Sequence, residues 1–275
     1  MSLIISLVVS FFLSLKWITN KKLLITQKNT WDQIVWFRYL IALICTLVLY
    51  YFFPNENSLN ITLIILMTLI AWFDFLWSYL TQKYTKLHPN SSFQNFLWSF
   101  IPIAYIPIWV LLLGENFTFW DFWGLVLIIF SLSFFTKFKE LNFYSPILGC
   151  IVIGRLFNIY LIWKYIALWW YFLDLLIFIY IFVLWTYFIK YFIKKYEFQK
   201  INSYNYLDAI FFSIWSIWSF FLYELFASYE VKLFLLSTFL FNVILFKIFY
   251  AEKYFYKKLF LSIFIIFWLI CMKLY

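Results

Sequence analysis

The sequence is dominated by apolar runs of about 20 residues that follow one another with only short polar connections. A helix needs about 20 apolar residues to cross the roughly 30 Å hydrocarbon core of a bilayer, whereas barrel strands are shorter and alternate strictly. The runs show no such alternation. We therefore predict an all-α integral membrane protein with ten transmembrane helices, at residues 3–19, 34–53, 59–81, 93–113, 119–136, 146–165, 169–189, 206–227, 231–250 and 255–272.

Composition excludes the other classes of protein. Hydrophobic residues make up 67% of the chain and charged residues only 12%, which is too few to cover a soluble fold of this size. The net charge of +9 does not indicate nucleic-acid binding, because the basic residues lie in short connections between spans. Aromatic residues reach 28% alongside only four glycines, a bias that AT-rich codons also produce. A single aromatic residue is therefore weak support for a site.

Basic residues alternate from one connection to the next. The odd-numbered connections hold 17 of the 21 Lys and Arg residues, while the even connections and both termini hold Lys164, Lys232 and Lys273. Arg155 lies inside a span. One missed span would invert this alternation from that point onward, so the pattern supports ten spans. It also places the odd connections in the cytoplasm and both termini outside.

The ten spans divide into two sets of five. Glu115 follows span four and Glu252 follows span nine, 137 residues later, which is half the chain. An odd number of spans in each half inverts the second half in the membrane, an arrangement found in many transporters. We predict one membrane domain built from two inverted five-helix repeats, residues 1–137 and 138–275.

Short motifs in the first half follow a family pattern. They are Arg38 at the start of span two, Lys83, Tyr84 and Thr85 after span three, Pro102 ahead of Gly114 and Glu115 in span four, and Gly124 and Ser131 in span five. In these motifs the chain resembles the ten-span EamA-type branch of the drug/metabolite transporter superfamily. In the second half Glu252 keeps the pattern, and Phe239 stands where a proline is expected.

The resemblance implies a secondary transporter in the cell membrane that moves small organic metabolites or drugs through a central polar cavity by alternating access. It implies no cofactor and no enzymatic activity, and its expected partners are a small-molecule substrate and the lipid bilayer, not nucleic acid. A lipid or lipid-linked sugar flippase of the same fold is one alternative. A non-catalytic structural membrane subunit is another, from a different class. Similar proteins more often keep both termini inside, which disagrees with the charge pattern.

Three ionisable residues stand out by their place in the predicted spans: Asp74 and Arg155 lie near the middle of theirs, and Glu224 lies toward the end of span eight. Each costs about 2.5–3.5 kcal/mol at mid-helix, so each needs a partner or water. We predict that Arg155 and Asp74 face one polar cavity between the repeats; a permanent structural ion pair is the alternative. Other candidates share a helix face with these residues or lie on span eight, and they are Trp77, Ser78, Thr81, Asn158, Trp215, Trp218 and Ser219.

The remaining polar residues are interpreted as structural. Charges near span ends are expected to extend toward the lipid headgroups, namely Lys16, Arg38 and Lys247. Acidic residues near helix N-termini are favoured there by the helix dipole, namely Asp32, Asp121, Asp174 and Asp208. Ser6, Ser10 and Ser14, spaced by four, indicate close helix packing. His88 is the only histidine, so no metal site is predicted.

The charge pattern makes a prediction about topology. A reporter fused after Tyr275 should be active when it is of the periplasmic or extracellular type and silent when it is of the cytoplasmic type. A fusion within residues 195–200, in the seventh connection, is the matched control and should behave in the opposite way. A cytoplasmic signal from the C-terminal fusion would contradict the orientation read from the charges.

Overall fold

The computed structural model describes residues 2–25, 31–55, 60–87, 145–169, 171–194, 201–225 and 237–250, with a few isolated positions between 118 and 267. All regular structure within these ranges is helical. The helices are α1 (Ser2–Ile25), α2 (Trp31–Phe52), α3 (Ile61–Leu87), α4 (Ser145–Leu168), α5 (Phe172–Lys194), α6 (Ser203–Leu225) and α7 (Ser237–Tyr250).

These helices coincide with predicted spans one, two, three, six, seven, eight and nine. Spans four, five and ten lie outside the described residues, apart from isolated positions. Within the described residues, three stretches are long and apolar enough to cross a membrane, at Asp32–Phe52, Ile61–Leu80 and Phe172–Ile193. Helical structure with such stretches is that of an α-helical membrane protein.

Local sequence explains where several helices begin. The side chain of Asn60 accepts a hydrogen bond from the Leu63 backbone N–H at 2.9 Å and caps the start of α3. At the start of α6, Asn202 and Asn205 cap each other: each side-chain oxygen accepts from the other residue's backbone N–H. Asp32 and Asp174 lie in the first turns of α2 and α5, as predicted from the helix dipole.

Helix α1 is longer than predicted. The apolar run ends at Thr19, but the helix continues to Ile25 and includes the basic residues Lys16 and Lys22. Six additional residues extend a helix by about 9 Å. Lys16 therefore lies inside the helix, well before its end, which changes the environment that it can reach.

Among the described helices, each of the first six packs mainly on helices from the other half of the chain. α1 packs on α6 and also on α7, and α3 packs on α4. α2 packs on α5 and α6, and α5 packs in addition on α3. Helices that are neighbours in sequence, such as α1 and α2, contact each other much less. The bundle is thus interleaved, and its interior lies between the two halves.

The interior of this bundle is more polar than its outside. On α2, Arg38 and Thr46 are buried, whereas Ile44 and Val48 are about half exposed. On α1, Ser10 and Ser14 are fully buried against the neighbouring helices, in agreement with the packing interpretation. A soluble protein has the reverse arrangement. Apolar side chains facing outward and polar ones facing inward are expected when lipid surrounds the bundle.

Polar contacts join the two halves at both ends of the antiparallel pair α2 and α5. At one end Lys190 Nζ lies 2.7 Å from Asp32 Oδ2. At the other end Asn55 Nδ2 donates to Asp174 Oδ2 at 2.7 Å, and Trp169 Nε1 donates to the same oxygen at 3.1 Å. The first connection thus meets the seventh at one end, and the second meets the sixth at the other. This grouping agrees with the alternation of basic residues.

Candidate functional site

Arg155 and Asp74 meet inside the bundle. Arg155 of α4 lies with Nη1 3.2 Å from Oδ1 of Asp74 on α3, and both side chains are largely buried. Tyr39 of α2 donates its hydroxyl to the other carboxylate oxygen, Asp74 Oδ2, at 2.8 Å. The sequence indicated that each charge needed a partner. The structure supplies one for each and adds a phenol that holds the carboxylate in place.

The guanidinium of Arg155 has two further neighbours among the predicted residues. Its central carbon lies 4.6 Å from the centre of the Trp77 ring, a cation–π distance. The Asn158 amide oxygen accepts from Arg155 Nη1 at 3.2 Å, and its nitrogen donates to the Ile70 carbonyl at 3.3 Å, in the amide orientation that satisfies both groups. Arg155 is thus held from α3 and from its own helix.

A second buried ion pair joins Arg38 to Asp208, and here two predictions are wrong. Arg38 contacts Asp208 through Nε at 3.0 Å and through Nη2 at 2.7 Å, and the side chains are only 5% and 1% exposed. Thr19 of α1 donates to the same carboxylate at 3.2 Å. Arg38 therefore does not reach the headgroups. Asp208 lies beyond the first turn of α6. Its carboxylate is therefore stabilised by the ion pair with Arg38 and not by the helix dipole.

The prediction for Lys16 is also wrong. The residue is only 4% exposed. Its ammonium lies 4.3 Å from the centre of the Trp215 ring and 5.1 Å from the rings of Phe212 and Trp17. No carboxylate of the described residues lies within ion-pair distance of it. Because α1 continues past Lys16 and α6 packs along it, the side chain is enclosed by aromatic residues instead of reaching the interface.

Aromatic side chains connect these groups into one cluster. Tyr39, which binds Asp74, packs on Phe212 with ring centres 5.1 Å apart. Phe212 in turn lies under both Lys16 and Arg38. The Lys16 charge interacts with the charges of both ion pairs. We call the five ionisable residues of this cluster, Lys16, Arg38, Asp74, Arg155 and Asp208, the charged core.

The other residues predicted for the site fall into a buried group and an exposed group. Ser78, Trp215 and Ser219 are buried, and Trp215 lies beside Lys16. Trp218 is 42% exposed and packs edge-on against Phe221, so it is not part of the charged core. Lys247 is exposed, as predicted for a residue near a span end.

Several candidates lie outside what the structure describes. Glu224 belongs to the last turn of α6, but its side chain is outside the described set, as are those of Thr81 and Ser6. The same holds for the family-motif residues Pro102, Gly114, Glu115, Gly124 and Glu252, and for Asp121 and His88. The roles inferred for these residues stay predictions.

The charged core contains three residues that the sequence analysis treated as structural: Lys16, Arg38 and Asp208. Their depth depends on where the helices begin and end, which the apolar runs do not specify. Arg38 is the fifth residue of predicted span two but the eighth residue of α2, about 10 Å beyond the start of the helix. The depths of Lys16 and Asp208 likewise depend on where α1 ends and α6 begins.

Metal chemistry has no support in the described part of the chain, where no group of three or more His, Cys, Asp or Glu side chains could hold a metal ion. Comparison with known proteins identifies no family: no protein-family model matches the chain, and no curated protein matches it. The charged core is therefore the feature of the described structure that bears on function.

The Arg38–Asp208 pair makes a prediction about stability. Asp208→Asn leaves the guanidinium buried without its carboxylate, so the free energy of unfolding in detergent should fall by about 3–5 kcal/mol. The double variant Arg38→Met/Asp208→Leu removes both charges and should recover most of that loss. Thermal unfolding of the purified protein, followed by loss of the monodisperse peak, measures both effects.

The control is Asp32→Asn, which breaks the more exposed pair with Lys190 and should cost only about 0–1 kcal/mol. Equal losses for Asp208→Asn and Asp32→Asn would contradict the special status of the buried pair.

Proposed function

We propose that the protein is a secondary transporter of small organic metabolites or drugs, of the ten-span drug/metabolite type, that works by alternating access. The observation that carries the proposal is the charged core, five ionisable side chains placed between helices of both halves of the bundle. Ionisable groups inside a membrane are costly and generally mark ion or substrate pathways. A structural subunit needs no such cluster, and catalysis would need a group of acids, bases or metal ligands.

The pattern of helix packing supports the two inverted repeats, residues 1–137 and 138–275. If α1, α2 and α3 are exchanged with α4, α5 and α6, the pair α1–α6 becomes α4–α3, and the pair α2–α6 becomes α5–α3. The pair α2–α5 maps onto itself. The main contacts among these six helices are therefore unchanged by the exchange, as a pseudo-twofold axis in the membrane plane requires.

The contacts at the two ends of the bundle are also related by this exchange of the two halves. Asp32 and Asp174 occupy matching first turns of α2 and α5, and each binds a polar residue near the C-terminal end of the other helix. One partner is the charged Lys190 and the other is the neutral Asn55. A bundle that opens alternately at its two ends needs contacts of this kind, which close one end while the other is open.

Asp74 is our candidate for the coupling residue. Its charge is balanced by Arg155, so the pair is neutral at rest. A substrate carboxylate or phosphate that approaches Arg155 competes with Asp74, and a released Asp74 can take up a proton. Substrate and proton then use the same pair of groups in turn, which couples transport to the proton gradient.

The proposal is tested by uptake of a metabolite panel into proteoliposomes that contain the purified protein, with and without an imposed proton gradient. Gradient-dependent accumulation of at least one small organic compound is expected. If no compound accumulates but a fluorescent lipid crosses the bilayer faster than in protein-free vesicles, the flippase alternative replaces the transporter. If neither occurs, the structural-subunit alternative stands.

Asp74→Asn separates coupling from structure. The amide is nearly the same size as the carboxylate but cannot exchange a proton, so substrate counterflow should persist while proton-driven accumulation is lost. Counterflow and accumulation are measured in the same vesicles. If the pair is purely structural, the lone Arg155 charge should destabilise the protein and abolish both activities together. That joint loss would contradict the coupling role.

The end contacts predict a reciprocal effect. Lys190→Met removes the ion pair at one end and should raise amide hydrogen exchange around residues 31–34 by up to about fivefold, since partly exposed pairs contribute up to about 1 kcal/mol. Under alternating access it should also lower exchange around residues 172–175 at the other end. Asn55→Ala should have the opposite pattern. Loosening confined to the mutated end in both variants would contradict alternation.

A further inference from the structure

Lys16 is the one member of the charged core without a carboxylate partner among the described residues. Arg38 binds Asp208 and Arg155 binds Asp74, so the two pairs are each neutral. The remaining ammonium is 4% exposed and faces aromatic rings. Cation–π contacts compensate part of its lost hydration, but a buried charge generally needs an opposite charge as well. When Lys16 is protonated, the charged core therefore has one positive charge in excess, located at Lys16.

A buried hydrogen-bond donor without an acceptor lies beside this charge, and a second lies one helical turn farther along α6. Trp215 Nε1 and Ser219 Oγ are both buried, and neither has a hydrogen-bond partner within the described part of the chain. Trp215 is the residue whose ring lies closest to the Lys16 ammonium, and Ser219 follows it by one helical turn on the same side of α6. Buried donors without acceptors are rare in folded proteins and call for an explanation such as a ligand. Both donors are therefore available to a ligand that carries acceptor atoms.

We propose that Lys16 binds the anionic group of the transported substrate, and that the substrate is an organic monoanion whose apolar or aromatic body packs against Trp215 and Phe212. One negative charge neutralises the excess charge of the core. A cation would add to that excess, and a neutral compound would leave Lys16 without a counter-charge. This inference rests on the proposed transport function and specifies its substrate class.

Binding at Lys16 also connects the substrate to the coupling pair. Phe212 contacts Lys16 and packs on Tyr39, which donates to Asp74, so an anion held by Lys16 lies close to that pair. The anion attracts Arg155 and repels Asp74, which favours protonation of Asp74. Lys16 is thus the binding residue, and Asp74 is the residue that responds to binding.

The test uses three radiolabelled probes of similar size that differ in charge: benzoate, benzamide and benzylammonium. Wild-type protein in nanodiscs should bind benzoate in preference to the other two. Lys16→Met should weaken benzoate binding by about tenfold or more, because a charged hydrogen bond is removed, and Lys16→Arg should retain most of it. Lys164→Met is the matched control, since Lys164 also lies over an aromatic ring but is exposed on α4.

Lys16→Met removes a buried charge without a partner, so it should fold, and its thermal unfolding should occur at or above the wild-type temperature. The proposal is overturned if wild-type protein fails to bind benzoate or prefers benzylammonium, or if Lys16→Met binds benzoate like Lys164→Met. Benzoate binding that depends on Lys16, without uptake of any compound into vesicles, would contradict the transport function alone. Uptake of cations with no anion binding would contradict this inference alone.

Discussion

The buried ion pair between Arg38 and Asp208 organises the centre of this bundle. An arginine taken out of water must find a carboxylate in the right place, and two nitrogens of Arg38 contact both oxygens of Asp208. This geometry fixes how α2 and α6 rotate against each other. Thr19 adds α1 to the same carboxylate. The aromatic enclosure of Lys16 follows, since it is formed where α1 packs on α6.

A hydrophobic replacement for such a pair is often at least as stable, so stability alone does not explain two buried ion pairs in one membrane bundle. The pairs differ in a way that fits a division of labour. Asp208 is almost completely buried, and one arginine contacts both of its oxygens, whereas the Asp74 side chain is 18% exposed, with one oxygen on Arg155 and the other on Tyr39. The first pair is suited to a fixed joint, and the second to a group that exchanges partners.

Interleaving of the two halves has a consequence for motion. Because α1, α2 and α3 pack mainly on α4, α5 and α6 rather than on each other, movement of one half against the other must pass through the charged core. Contacts at the ends, such as Lys190 with Asp32, are more exposed and less costly to break. A bundle with firm contacts at its centre and weaker ones at its ends can open at either end without separating in the middle.

Hydropathy and charge alone determined that the chain forms membrane helices and that Arg155 and Asp74 each need a partner. These are properties of single segments, because a run of about 20 apolar residues has one stable environment whatever its neighbours are. Only the tertiary structure decided that Arg38 binds Asp208, that Lys16 is enclosed by aromatic rings, and that Trp218 lies outside the charged core. These outcomes depend on helix ends and on rotation about helix axes. Six more residues place Lys16 about 9 Å farther from the end of α1, and about 100° of rotation separates adjacent side chains such as Trp218 and Ser219. The local apolar pattern specifies neither quantity, because both are set by which helix packs alongside.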